Sequence, residues 1–234
     1  MKLPKMPFSI QALVLANIMP LIGILFFGWD AAVIVLLYWT ENIVIGFYNI
    51  LKMTLLKLSF DPGKLFAIPF FCLHFGGFCA VHGFFLLAFL KLGGGMESFF
   101  PKEAWPGPLV FMQLLFSVVS SLWRNHPVGM EWPVIGLFVS HGISFVQNYL
   151  LKKEYASLTI AKLMNQPYKR IVILHVTIIA GGVPIMLIGS PVPLMCILVF
   201  LKVSMDIYLH KKEHKVNIDE KIEPSNPLDS EIAA

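Results

Sequence analysis

The chain has little charge and few long polar stretches. Asp, Glu, Lys and Arg make up 14% of its 234 residues, against about 25% in an ordinary soluble domain, so a soluble globule built from it could not cover its own surface. No polar stretch outside the apolar runs exceeds about 20 residues, which excludes a separate soluble module. Cysteine is scarce as well: Cys72, Cys79 and Cys196 all sit in apolar runs and no C-x-x-C pair occurs. That pattern argues against a cysteine metal site or a disulfide framework and makes each thiol a small buried hydrophobe. Serine-nucleophile motifs of the form G-x-S-x-G or G-x-S-G are missing from the apolar runs. The net charge of +4 comes from Lys and Arg beside those runs, where they set orientation and meet anionic headgroups rather than nucleic acid.

Apolar length is what the chain does have. Hydrophobic residues reach 57% and mean hydropathy is +0.74, gathered into runs at about 8–28, 31–57, 64–91, 107–123, 132–151, 170–189 and 191–210. A membrane β-strand needs only about ten alternating residues, so runs of this length predict an all-α, polytopic helical membrane bundle. Residues 1–210 form the membrane domain, with 8–28 read as an uncleaved first span. Residues 211–234 are a polar tail with too little apolar surface to fold alone. Gly189, Pro191 and Pro193 in "GSPVP" place a tight hairpin between the last two runs.

Charge counts the spans. Seven spans with a cytoplasmic N-terminus would leave six Lys and Arg inside and eleven outside, out of 18 in all, against the positive-inside rule. If 107–123 instead dips in and returns to the same side, fourteen of the 18 lie inside and only Lys91, Lys102 and Arg124 outside, with Lys202 within the last helix. The expectation is therefore six spanning helices plus one re-entrant or interfacial element, with seven spans as the alternative. Trp105, Trp123 and Trp132 flank the short run as an interfacial belt would. Both termini are expected in the cytoplasm of a prokaryotic cell, with the plasma membrane bilayer as partner.

Ionisable side chains within such spans cost a few kcal/mol or more and usually face the bundle interior. In "YWTENIVIGFYNILK" a turn of about 100° per residue aligns Glu41, Tyr48 and Lys52. In "FFCLHFGGFCAVHGFF" His74 and His82 share a face but stand about 12 Å apart along the axis, so one ion cannot take both from a straight helix. His141 and Asn148 are nearly eclipsed in the fifth run. His175 lies about one turn inside the boundary set by Lys169 and Arg170, and Lys202, Asp206 and His210 recur every four residues. Arg124, on the re-entrant element, reads as an interfacial anchor or as a holder of a substrate carboxylate or phosphate. By height in the bilayer, Glu41 and His141 come near the midplane with His74 and His82 on either side. Convergence of Glu41, as ligand or general base, with His141 and one of His74 and His82, as metal ligands, would suit zinc or iron and leave an open position for activating water. The bland alternative is that each imidazole is satisfied by a neighbouring helix and adds only packing specificity.

At "YWTENIVIGFYNILKM", "HFGGFCAVHG" and "SHGISFVQNYL" the chain resembles a multi-pass prokaryotic membrane family catalogued as domain of unknown function 6498, over most of residues 8 to 210. That resemblance implies a membrane fold and no assigned activity. Phe78 and His82 in "FCAVH" are also similar to the F-x-x-x-H motif of the intramembrane prenyl-protease and bacteriocin-immunity group, whose paired-glutamate motif E-E-x-x-x-R is missing here. Four functions stand open on these residues. They are metal-dependent hydrolysis of a lipid or membrane peptide; a transporter or proton-coupled carrier using Glu41, the histidines and Asp206; b-type haem ligation by two histidines; and a scaffold whose polar groups lock helices together.

Overall fold

The computed structural model describes residues 22, 26, 28–56, 62–92, 99–100, 103–190, 192–201 and 203–204. Most of the expected first span, the tail from 211 onward, and Lys202, Asp206 and His210 lie outside the described residues. Within them every regular element is a helix: α1 Ala31–Leu55, α2 Pro62–Phe89, α3 Leu109–Asn125, α4 Glu131–Ser144 running on as a π-helix over Phe145–Leu151, a 3-10 turn at Glu154–Ser157, α5 Ile160–Asn165 and α6 Tyr168–Ile188, then α7 Val192–Leu201. Four stretches, Ala31–Leu55, Pro62–Phe89, Glu131–Leu151 and Ile160–Ile188, are long and apolar enough to cross a membrane, which is compatible with a membrane location.

Local chemistry sets the helix ends. Asp30 caps α1, its carboxylate accepting the Ala32 N–H at 2.8 Å, so one otherwise unpaired amide is satisfied. At the other end of α1, the Lys64 ammonium donates to the Leu56 carbonyl. Thr159 opens α5 by accepting the Lys162 N–H, and Pro167 separates α5 from α6 because proline cannot donate to the helix ladder.

Taking the Ala31 end of α1 as the upper end, α1 descends and α2 climbs back against it. Trp39 of α1 meets Gly83 of α2 near the top and Gly46 meets Phe75 lower down, as antiparallel neighbours must. α3 breaks the alternation. Gly77 and Gly76 of α2 face Phe111 and Met112, and Gly83 faces Val118, so residue numbers rise together and the two consecutive helices run in the same direction. The connection between them therefore descends: Phe99 and Phe100 pack on Phe84, ring centroids 5.5 Å apart, and Gln113 binds the Glu103 carbonyl and the Trp105 amide. α3 starts beside the middle of α2 and, at 17 residues, is about 26 Å long.

α4 descends alongside α1, with Gly142 against Tyr48 and the Tyr149 hydroxyl donating to the Lys52 carbonyl at 2.5 Å. α6 climbs beside α2, pairing Tyr168 with His74 and His175 with His82. α7 turns back against α6, where Gly181 receives Leu194. Two apolar clusters hold this together: an upper one around Trp39, Leu86, Val118 and Leu194, and a lower one around Met53, Phe71, Tyr149 and Leu163.

Candidate functional site

The seam between α1 and α4 holds a cluster of ionisable groups. Glu41, in the middle of α1, accepts from the Arg170 guanidinium at 2.8 Å, and His141 Nε2 lies 3.7 Å from the same oxygen. Three helices thus contribute to one cluster, because Arg170 sits in the first turn of α6 and its long side chain reaches inward. The Glu41 side chain is 16% exposed, His141 30% and Arg170 34%. Tyr48 lies two turns below Glu41, stacked on His141 with ring centroids 6.4 Å apart, and its hydroxyl donates to the Phe138 carbonyl at 2.9 Å. These contacts hold His141 beside the carboxylate.

A cavity lies on either side of the cluster. The upper one, about 400 Å³, is bounded by Ile34, Tyr38 and Glu41 of α1 and by Pro133, Gly136 and Leu137 of α4. The lower one, about 260 Å³, is bounded by Tyr48, Asn49, Lys52, His141, Ser144 and Arg170, with Ile45 and Phe145 as apolar wall. Glu41 faces the upper space while His141 and Arg170 face the lower. The ion pair therefore stands between two voids on one seam.

The other expected site residues are distributed differently. His82, 2% exposed, has its Nε2 2.8 Å from Nδ1 of His175; in that contact one ring donates and the other accepts, so both cannot be charged there without repulsion. His74 is exposed on the outer face of α2, in contact with the Tyr168 hydroxyl at 2.7 Å and between the rings of Phe70 and Phe78. Of the expected convergence, Glu41 and His141 are neighbours, but neither His74 nor His82 joins them. Each meets a different partner, and among the described residues no group of three or more His, Cys, Asp or Glu is placed to hold a metal ion. The reason is spacing along α2 combined with the direction of α6, which passes Tyr168 and then His175 up the same face.

Asn148 departs from its expected alignment with His141. The helix widens to π geometry at Phe145, so the eclipsing that holds for a 3.6-residue turn is lost. Asn148 instead donates to Ser144 Oγ at 3.1 Å and accepts from Lys152 at 3.0 Å. Arg124 is exposed in the last turn of α3, where its charge favours the helix C-terminus. Asp206 lies outside the described residues.

Sequence reasoning missed Arg170, read as a boundary charge, because arginines near helix ends ordinarily turn outward to water. It also missed Trp39, whose indole N–H donates to the Cys79 carbonyl at 2.9 Å within the notch left by Gly83.

Comparison with known proteins gives one finding: a model described as a family of unknown function (DUF6498) matches residues 4–223. No curated protein and no solved structure matches the chain.

Proposed function

Because the chain belongs to DUF6498, a family of unknown function, its activity must be argued from its own geometry, and we propose that it is an integral membrane protein acting as a proton-coupled carrier. The observation that carries this reading is the pair of cavities separated by Glu41, Arg170 and His141 along the α1–α4 seam. A carrier needs a central site reachable from either end by turns, and a bistable barrier between the two approaches. An ion pair with an imidazole alongside is such a barrier: protonating Glu41 would release Arg170, and His141 is placed to supply or take the proton. Any movement of α4 would be at its Glu131–Ser144 part, none of which is buried, about the π-helical continuation anchored by the buried Tyr149. Metal-dependent hydrolysis receives less support, its expected ligands having separate partners.

The membrane arrangement belongs to the same proposal. α1, α2, α4, α6 and α7 cross the bilayer, residues 8–28 add a sixth span, and the descending connection with α3 forms a re-entrant element. Lys52, Lys64, Lys152, Lys153, Lys162 and Lys169 gather at the lower end, against Lys91 and Arg124 at the upper, which makes the lower end cytoplasmic.

Protein reconstituted into liposomes enclosing a pH-sensitive dye tests the function. Gradients of inorganic phosphate, a monocarboxylate, an amino acid and potassium are imposed in turn. The expected result is a lumenal pH change with at least one solute that protein-free liposomes do not show and that Glu41→Gln reduces by about tenfold or more. Identical traces for wild type, the variant and empty liposomes with all four would overturn the reading.

A further inference from the structure

We infer that the lower cavity is a binding site for an oxyanion group, a phosphate or phosphate-like head. This deepens the carrier reading by naming the class of its cargo, and it rests on that reading only for the claim that the ligand moves. Every ionisable side chain on the wall is basic or neutral: Lys52, Arg170, His141 and Tyr48. The neighbouring carboxylates, Glu154 at 4.0 Å from Lys52 and Glu41 at 2.8 Å from Arg170, are not among the residues that form the wall.

Donor capacity exceeds local demand. Arg170 contacts Glu41 through Nη1 at 2.8 Å and also lines the cavity, which brings a guanidinium fork whose geometry matches phosphate oxygens to the wall. Lys52 lies 4.0 Å from Glu154, beyond hydrogen-bond range, so its ammonium keeps protons to give. Ser144 Oγ accepts from Asn148 and retains its own hydroxyl proton. Asn49 uses one amide proton on the Leu163 carbonyl and has a second. The cavity also adjoins the first turn of α6, the positive end of a 21-residue helix. Surplus donors around a void without a carboxylate select an anion. At about 260 Å³ the void falls just below the range of about 300–1,000 Å³ that holds drug-sized ligands, so it suits a single head.

That chemistry has two sources, a lipid headgroup and a free anion, and binding to the full chain in a neutral detergent separates them. Inorganic phosphate is titrated by calorimetry, and retention of phosphatidic acid against diacylglycerol is followed by native mass spectrometry. Lys52→Gln is expected to weaken phosphate or phosphatidic acid binding about tenfold and Ser144→Ala about threefold, while Lys169→Gln, next to the site but off its wall, leaves it unchanged. Preferential retention of phosphatidic acid identifies a lipid headgroup, and saturable binding of phosphate alone identifies a soluble anion. Absence of saturable binding of either by folded wild-type protein, or equal losses for Lys52→Gln and Lys169→Gln, would overturn the inference. Ser144→Ala keeps the test valid if Lys52→Gln fails to fold. Binding without flux would remove the carrier and leave the anion site, whereas flux of a cation without anion binding would do the reverse.

Discussion

His126 and His141 both stand near a glutamate, and the atoms around each decide what it does. His126 has an acceptor at each ring nitrogen, the Trp123 carbonyl at 2.8 Å and the Glu131 carboxylate at 2.7 Å, so the doubly protonated imidazolium fits. The Glu131 hydrogen bond, aided by the Trp123 carbonyl, raises its pKa above the ordinary 6.5. A folded-state value above the unfolded one means that the stabilisation is fully present below pH 6.5 and is lost as pH rises through the raised value. Thermal midpoints of detergent-solubilised protein should therefore fall slightly over that window, and Glu131→Gln should flatten the fall; an unchanged slope in the variant would show that the pair contributes nothing. His141 has no such pair of acceptors. Its Nε2 lies 3.7 Å from a carboxylate already engaged by Arg170, beyond hydrogen-bond range.

Among the elements, α2 does most of the positioning, and its glycines differ in how much room they leave. A methyl group at Gly83 would lie 2.5 Å from the Trp39 indole and 2.7 Å from Val118, wedging α1, α2 and α3 apart where the indole is hydrogen-bonded. At Gly76 the nearest atom is the Met112 sulfur at 3.2 Å, the end of a flexible side chain that can turn aside. Gly83→Ala should accordingly cost about 1–3 kcal/mol, seen as a lower denaturation midpoint in detergent, and Gly76→Ala much less. Equal effects at the two positions would contradict the close approach of the three helices. The helical period of this run does not name the indole that fills the space beside Gly83. An α-helical period likewise could not anticipate the π turn at Phe145, because only packing against Lys52 and Tyr155 shows where α4 widens.

At the scale of the whole molecule, the shared direction of α2 and α3 decides the topology. If the connection descends and α3 returns, Lys91 and Arg124 emerge at the same end and Lys153 at the opposite one. In a background without Cys72, Cys79 and Cys196, Lys91→Cys and Arg124→Cys should react with a membrane-impermeant maleimide from one side of sealed vesicles, and Lys153→Cys from the other. Labelling of positions 91 and 124 from opposite sides would restore seven spans. Run length and charge bias by themselves determined that this is a helical bundle with long apolar helices, and they pointed to the odd behaviour of 107–123, because both are properties of composition along a line. They also marked Glu41 and His141 as neighbours in height. Only the tertiary structure decided that Arg170 joins them, that His82 meets His175 and that His74 meets Tyr168. Which helices touch, and on which face, depends on packing between segments 93 to 129 residues apart, which no local period encodes.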